Sequence, residues 1–359
     1  MIVLISVIVL IASCILSNEG KYKRASNVLV LLAFILSAFN TDNPDYQAYL
    51  YRYTSEEGEH EWLWNLLSIP AHKMGISFIV FRISVVLCCF LLIHRTVNRY
   101  CGRPNVFYYF YLLFPFALDV VQTRNFIVMS LLVAAFPLLL TTDIYKRLFF
   151  SIIVIIAAGF QSIAYIYLPL AFIDLIFGKV NMKILISCFC LLFFALNYVV
   201  TNYIDVFLSF IVTNYGDADS RIENLGNAGI SDIGYIMYWL FHACAALYVY
   251  WAIKHENKNE LAYFYFKILF IAQVYITFTL PFIVFDSTFE RFSRNLIPLL
   301  FFGIAMSKKQ LFSKTPIFGN KIKSYLFIGY ILTMCWMDII NGYYETIVIP
   351  LFECNLINF

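Results

Sequence analysis

Four polar clusters interrupt an otherwise apolar chain, and the first of them places carboxylates among aromatic rings. It is the run Asn40–Tyr53, in which Asp42 and Asp45 stand close to four tyrosines. Carboxylates bind hydroxyl groups or take a proton from them, and aromatic faces pack against sugar rings. The cluster therefore predicts a carbohydrate site built from Asp45, Tyr46 and Tyr49. A solvated loop with an aromatic belt at a membrane interface is the alternative interpretation.

The second cluster is an acidic and aromatic stretch that begins after residue 55. Glu61 opens an amphipathic segment that contains Trp62 and Trp64, a pattern typical of a helix lying along a membrane interface. Glu61 is thus a second candidate base, beside Asp45. His60 stands between two glutamates, and we interpret it as a solvated surface histidine.

The third cluster contains Gln122, Arg124 and Asn125, directly before an apolar run. The N-terminus of a helix carries unpaired N–H groups and a partial positive charge. The planar donor fork of arginine also matches a phosphate group. The cluster therefore predicts an anion site, with Gln122 and Asn125 as further ligands. Two alternatives stay open, in which Arg124 contacts lipid head groups or pairs with Asp119.

The fourth cluster spans residues 286–294 and carries two arginines, Arg291 and Arg294. Residues three apart share one side of a helix, so both guanidinium groups are expected to face the same way. Because this cluster repeats the arrangement around Arg124, we predict that the two clusters line one cavity for a polyanion.

Motifs for metal, nucleotide or redox cofactors are absent from the sequence. Its nine cysteines form no C-x-x-C, and there is no H-E-x-x-H, phosphate-binding loop or dinucleotide-binding glycine motif. Asp42 and Asp45 are separated by Asn43 and Pro44, which is no D-x-D metal signature. The net charge of +3 is too small to indicate nucleic acid. We predict a site with no metal and no cofactor, and no nucleic-acid partner.

The composition identifies the solvent around most of the chain as lipid. Of its 359 residues 62% are hydrophobic and 13% are charged, with a mean hydropathy of +0.79. Soluble domains carry about 25% charged residues, so a soluble enzyme is excluded. We predict an all-α, polytopic integral membrane protein in which residues 1–359 form a single transmembrane domain.

The Lys and Arg residues predict how this domain is oriented. Most of the 25 basic residues fall in alternate loops, which the positive-inside rule assigns to the cytoplasm. The pattern predicts about 12 transmembrane helices (about 11–13), with both termini outside and the first run, Met1–Ser17, retained as an anchor. Between 148 and 177 we expect two short helices that meet at Gly159–Ser162. The predicted outer loops are 40–75, 119–125, 201–232 and 286–294.

Four short motifs, in this order and on this side of the membrane, resemble the EpsG/Wzy-type family of bacterial polysaccharide polymerases. They are Asp45-Tyr46-x-x-Tyr49, Glu61-Trp62, Arg124-Asn125 and the turn Gly159-Phe160-Gln161-Ser162-Ile163-Ala164. The resemblance covers residues 40–175, and the C-terminal half is held mainly by topology and Arg291. Gln161 stands where the family commonly has histidine. Since glutamine is no general base near neutral pH, we expect Gln161 to bind substrate by hydrogen bonds alone.

The resemblance implies a glycosyltransferase of GT-C-like architecture in the bacterial cytoplasmic (inner) membrane. The implied reaction moves a growing glycan from undecaprenyl pyrophosphate onto a new lipid-linked repeat unit, on the outer side of the membrane. The implied partners are the undecaprenyl-pyrophosphate-linked oligosaccharide and the lipid bilayer, with a chain-length regulator and a flippase as further candidates. Two other hypotheses stay open: a ligase or related membrane glycosyltransferase, and a flippase or transporter of lipid-linked sugars.

Overall fold

The protein is helical throughout the residues that its computed structural model describes, which are 22–55, 61–177, 181–215, 231–284 and 287–356. Within these ranges there is no β-strand, and one isolated bridge joins Asn40 to Asn355. The predicted all-α class is confirmed. The first predicted span, Met1–Ser17, and His60 lie outside the described residues.

The described residues form the following α-helices, given in chain order. They are α1 (Tyr22–Ala38), α2 (Tyr46–Ser55), α3 (Trp62–Lys73), α4 (Phe78–Tyr100), α5 (Pro104–Leu113), α6 (Phe116–Val121), α7 (Thr123–Ala135), α8 (Ile144–Phe160), α9 (Leu170–Phe177), α10 (Met182–Tyr215), α11 (Asp232–His255), α12 (Leu261–Ile276), α13 (Glu290–Arg294), α14 (Ile297–Met306), α15 (Lys321–Cys335), α16 (Asn341–Tyr343) and α17 (Ile349–Glu353).

Several helices continue into tighter or wider turns. The 3-10 segments are Phe136–Leu140, Ser162–Tyr167, Thr277–Val284 and Ser287–Phe289, and the π-helical segments are Trp336–Ile340 and Tyr344–Val348. α8 ends at Phe160, and a new helix begins at Leu170. The predicted break at Gly159–Ser162 is therefore where the structure has it.

The described residues contain five helical segments long and apolar enough to cross a membrane. They are Phe78–Tyr100, Thr123–Leu140, Asp232–His255, Leu261–Val284 and Lys321–Glu353. A membrane protein is thus supported, whereas the count of about 12 spans stays a prediction.

Three of the predicted outer loops are largely helical, and a fourth is helical in part. Residues 40–75 contain α2 and α3, residues 119–125 are interrupted only at Gln122, and 286–294 contain α13. Residues 201–215 continue α10, and 216–230 lie outside the described residues. Polarity suggested loops here, but short helices also present polar side chains while satisfying their own backbone hydrogen bonds.

The helix α14 forms the centre of the fold, because every one of its ten residues is buried. A helix that is apolar all round packs inside the protein, and α14 lies against α5, α7, α11 and α12. Gly303 allows the approach of α12: a Cβ at this position would lie 2.6 Å from the ring of Phe266. The site elements are arranged around this helix.

The segment between α1 and α2 is held in place by the C-terminal end of the described chain and by one buried arginine. Thr41 N donates to the carbonyl of Cys354 at 2.9 Å, and the Asn40 side chain donates to the carbonyl of Pro350 at 2.8 Å. The Arg82 guanidinium donates to the carbonyl of Asn40 and, at 3.2 Å, to that of Val120. Arg82 therefore ties this segment to α6.

We expect Arg82→Met to destabilise the protein by at least about 2 kcal/mol, because two carbonyl groups lose a charged donor. The measurement is reversible unfolding of the purified protein in mixed detergent micelles. Arg95→Met, an exposed position on the same helix, is the matched control and should change stability by less than about 0.5 kcal/mol. Equal effects of the two substitutions would contradict the assignment.

Candidate active site

A polar cavity of about 490 Å³ is lined by residues of the first, third and fourth sequence clusters. Asp45 comes from the segment before α2, Gln122 from the junction of α6 and α7, and the two arginines from α13. The residues that line it are Pro44, Asp45, Leu118, Val121, Gln122, Tyr238, Ser287, Thr288, Glu290, Arg291, Arg294, Asp338, Tyr343 and Ile347.

Asp45 is presented to the cavity by a short turn that precedes α2. The Asn43 side chain accepts a hydrogen bond from Asp45 N at 3.2 Å, and Asn43 in turn donates to Asn40 at 2.8 Å. The carboxylate of Asp45 has no hydrogen-bond or ion-pair partner among the described residues. Burial raises its pKa, and the charges of Arg291, Arg124 and Arg52 oppose that rise. A carboxylate whose pKa is raised toward neutrality is a better general base.

Arg294 is a buried charge whose partners are within the protein. Its guanidinium pairs with Glu290, one turn earlier in α13, and donates to the side-chain oxygen of Gln122. Only 3% of Arg294 is exposed. An isolated buried charge is costly, so these contacts are what allow Arg294 to lie here. Asp119 is also within electrostatic range of Arg294.

Arg291 lines the same cavity without such partners. The residue is half-buried, and its guanidinium forms no hydrogen bond or ion pair with any residue in the described ranges. Burial lowers the pKa of Arg291, and the nearby charge of Arg294 lowers it further. Arginine nevertheless stays protonated in proteins. Arg291 is thus a cation whose five donors are available to an anion in the cavity.

Asp119 lies behind this cavity and is fully buried. Tyr111 donates to one of its carboxylate oxygens at 3.0 Å. Burial raises the pKa of Asp119 to about 7, although Arg294 opposes the rise. Its hydrogen bond from Tyr111 differs from the predicted alternative in which Asp119 pairs with Arg124.

Two of the predicted site residues, Arg124 and Glu61, lie outside the cavity lining, so Arg124 does not share this cavity with Arg291 and Arg294. The side chains of Arg124 and Glu61 form an ion pair at 2.8 Å, and Arg124 also stacks over the ring of Tyr49, 5.4 Å from its centroid. Both side chains are largely buried, at 15% and 8% exposure. The Glu61 carboxylate is occupied by Arg124 and does not line the cavity, whereas Asp45 does, so Asp45 is the better placed of the two candidate bases.

The remaining predicted residues surround the cavity without lining it. Tyr46 and Tyr49 point inward from one face of α2, and the guanidinium of Arg82 lies 5.6 Å from the Tyr46 ring. Asn125 and Asn295 exchange two side-chain hydrogen bonds of 3.0 Å, which join α7 to the start of α14. Gln161 is buried at the end of α8.

Sequence reasoning missed Asp338, Tyr238 and Glu290 as lining residues of the cavity. Tyr238 and Asp338 lie inside apolar runs that were assigned to lipid, and Glu290 was passed over for its arginine neighbours. The signal was present for Asp338, because a single carboxylate within an apolar span is a functional candidate by default. His242 and Arg82 are two further polar residues within apolar runs, and their hydrogen bonds show that both are satisfied inside the protein.

No three His, Cys, Asp or Glu side chains in the described part of the chain converge as metal ligands. The absence of a metal requirement stays a prediction.

Comparison with known protein families identifies the relationship. The EpsG family model matches residues 23–351. The chain belongs to the EpsG family. This match extends well beyond the motifs at 40–175, and it includes α13 with both arginines and Asp338. No curated protein and no solved structure matches the chain.

In this EpsG-family protein, we expect the Arg124–Glu61 pair to couple α7 to α3. A double-mutant cycle of Arg124→Gln and Glu61→Gln should give a coupling energy of about 1 to 3 kcal/mol, because the ion pair is shielded from water. The free energy of unfolding in detergent is the measurement. The control is the pair Lys308–Glu260, of similar length but largely exposed for Lys308, which should couple by less than about 1 kcal/mol. Equal couplings would refute the expectation.

Proposed function

We propose that this protein is a polysaccharide polymerase that joins undecaprenyl-pyrophosphate-linked oligosaccharide repeat units. Membership of the EpsG family supports a membrane glycosyltransferase of this general kind. The observation that carries the specific proposal is that the carboxylate of Asp45 and the guanidinium of Arg291 line one cavity, and neither has a side-chain partner among the described residues. Glycosyl transfer from a diphosphate needs these two groups, a base for the acceptor and a cation for the leaving group.

The donor in this reaction is the growing glycan on undecaprenyl pyrophosphate. The bond that breaks joins the anomeric carbon of the glycan to the diphosphate oxygen, and undecaprenyl pyrophosphate leaves with the bonding electrons. Pyrophosphate is already a good leaving group, so it needs neutralisation rather than protonation. Arg291 supplies that charge as a bidentate donor, and Arg294 adds to the local potential from its fixed position.

The acceptor is a hydroxyl group on the sugar of a new lipid-linked repeat unit. Its oxygen forms the new bond to the anomeric carbon, and Asp45 takes its proton. In this proposal Glu61 and Arg124 hold the wall beside Tyr49, with Gln122, Asn125 and Gln161 as polar groups around the glycan. The reaction as proposed uses no metal and no cofactor.

The cellular setting is part of the proposal. The basic loops support an orientation in the bacterial cytoplasmic membrane with both termini outside and the cavity on the outer side. About 12 spans in a GT-C-like arrangement would complete this domain. A flippase that delivers repeat units and a regulator of chain length are the expected partners.

We expect purified wild-type protein to convert lipid-linked repeat units into a ladder of longer glycans. The substrate is the glycolipid fraction from a host strain that lacks the gene. Arg291→Ala should slow ladder formation by at least about 100-fold, because removing one preorganised transition-state donor typically costs this much. Arg291→Lys should also be strongly impaired, since an ammonium cannot bind bidentately.

Arg95→Ala serves as the matched control for this assay, because Arg95 is exposed on α4 and does not line the cavity. It should form the wild-type ladder. Unchanged single repeat units with the wild-type protein would overturn the polymerase proposal. Transfer of finished glycan to a different acceptor would instead identify a ligase.

We expect kcat/KM for chain growth to fall as the pH is lowered. The midpoint of this fall should lie above the ordinary pKa of an aspartate. Asp45 accepts a proton only when ionised, and burial raises its pKa. Asp45→Asn should lower kcat/KM at neutral pH by at least about 100-fold and abolish this acidic limb. An Asp45→Asn variant that keeps the wild-type rate and pH profile would exclude Asp45 as the base.

A further inference from the structure

Asp338 is a buried carboxylate in the cavity wall to which the proposed reaction gives no role. Only 9% of the residue is exposed. Its Oδ2 atom is buried and has no hydrogen-bond partner among the residues described. A buried acceptor left unmatched is costly, and native proteins rarely contain one without a reason. The residue itself lines the cavity, so its carboxyl group is a contact available to a molecule bound there.

The backbone around Asp338 is also unusual. α15 continues into a π-helical turn, Trp336–Ile340, and Asp338 is its central residue. π-helical turns are rare and are frequently found at functional sites. An ionisable residue within an apolar membrane segment points in the same direction. Two features of different kinds, one in the backbone and one in the side chain, therefore single out the same residue.

Asp338 is not the contact partner that the buried arginine needs. Arg294 makes its ion pair with Glu290 and its further contact with Gln122. Asp338 is within electrostatic range of Arg294 and lies beside Tyr238, but it forms no salt bridge in the described residues. Asp338 lines the same cavity as Asp45 and Arg291.

We propose that Asp338 binds the acceptor, receiving hydrogen bonds from hydroxyl groups of the sugar at which the new bond forms. The inference rests on the proposed function and names the part of the cavity that holds the acceptor. The oxygens of a carboxyl group accept hydrogen bonds, so Asp338 suits the hydroxyl or amino groups of a sugar. The cavity is thus divided, with Arg291 for the diphosphate of the donor and Asp338 for the acceptor sugar.

The test measures two ligands separately on full-length protein in detergent. One probe is inorganic pyrophosphate, and the other is the reducing oligosaccharide that mild acid releases from the glycolipids of the gene-deletion strain. We expect Asp338→Asn to weaken binding of the oligosaccharide at least tenfold and to leave the Kd for pyrophosphate within twofold of wild type. Arg291→Gln should show the converse pattern. Glu345→Gln, an exposed carboxylate of the same helical segment, should change neither Kd.

Each outcome of this experiment decides the proposal. Wild-type affinity of Asp338→Asn for the oligosaccharide would overturn it, as would loss of both ligands, which indicates a structural role. A wild-type protein that binds pyrophosphate but not the oligosaccharide would also overturn it. The ladder assay reports on the polymerase proposal independently, so failure of one is distinguishable from failure of the other.

Discussion

The fold around the cavity depends on neutralising one buried positive charge, that of Arg294. Its guanidinium contacts Glu290 from its own short helix and Gln122 from the junction of α6 and α7. Asp119, in the same stretch as Gln122, and Asp338, in a further helical segment, are within electrostatic range of the guanidinium. A buried charge that loses its partners destabilises a protein strongly. Three stretches of the chain that are distant in sequence are thereby held around the same point.

The two arginines of α13 consequently have different roles, although the sequence shows them only as a matched pair. Arg294 is fixed by protein contacts and shapes the potential of the cavity. Arg291 keeps its donors available, because no side chain in the described ranges binds them. In the proposed reaction, which requires the site to receive a diphosphate and then release it, such a division is an advantage. If both arginines were paired with carboxylates, they would bind an anion weakly. If both lacked partners, their mutual repulsion would destabilise the fold.

The class of the protein and several residues that line the cavity could be predicted from the sequence, for physical reasons. Composition alone required lipid as solvent, and arginines at the ends of apolar runs stood out because they are expensive there. Asp45, Gln122, Arg291 and Arg294 do line one cavity.

Other features depend on tertiary contacts that no local pattern reports. The ion pair of Glu61 with Arg124 joins residues 63 positions apart. Tyr46, Tyr49 and Tyr53 fit the pattern of an exposed aromatic belt, yet they form the inner face of α2. The π-helical turn at Asp338 has no sequence signature comparable to a helix cap. The place of this carboxylate in the cavity wall therefore did not follow from the apolar run around it.

The bridge between Asn40 and Asn355 has a consequence for the biosynthesis of the protein. The turn that carries Asp45 acquires its final hydrogen bonds only when residues 350 to 356 are in place. Synthesis proceeds from the N-terminus, so nearly the whole polypeptide must leave the ribosome before this turn is secured. A partly translated chain in the membrane would therefore hold an unfinished cavity, with the segment that carries Asp45 not yet fixed.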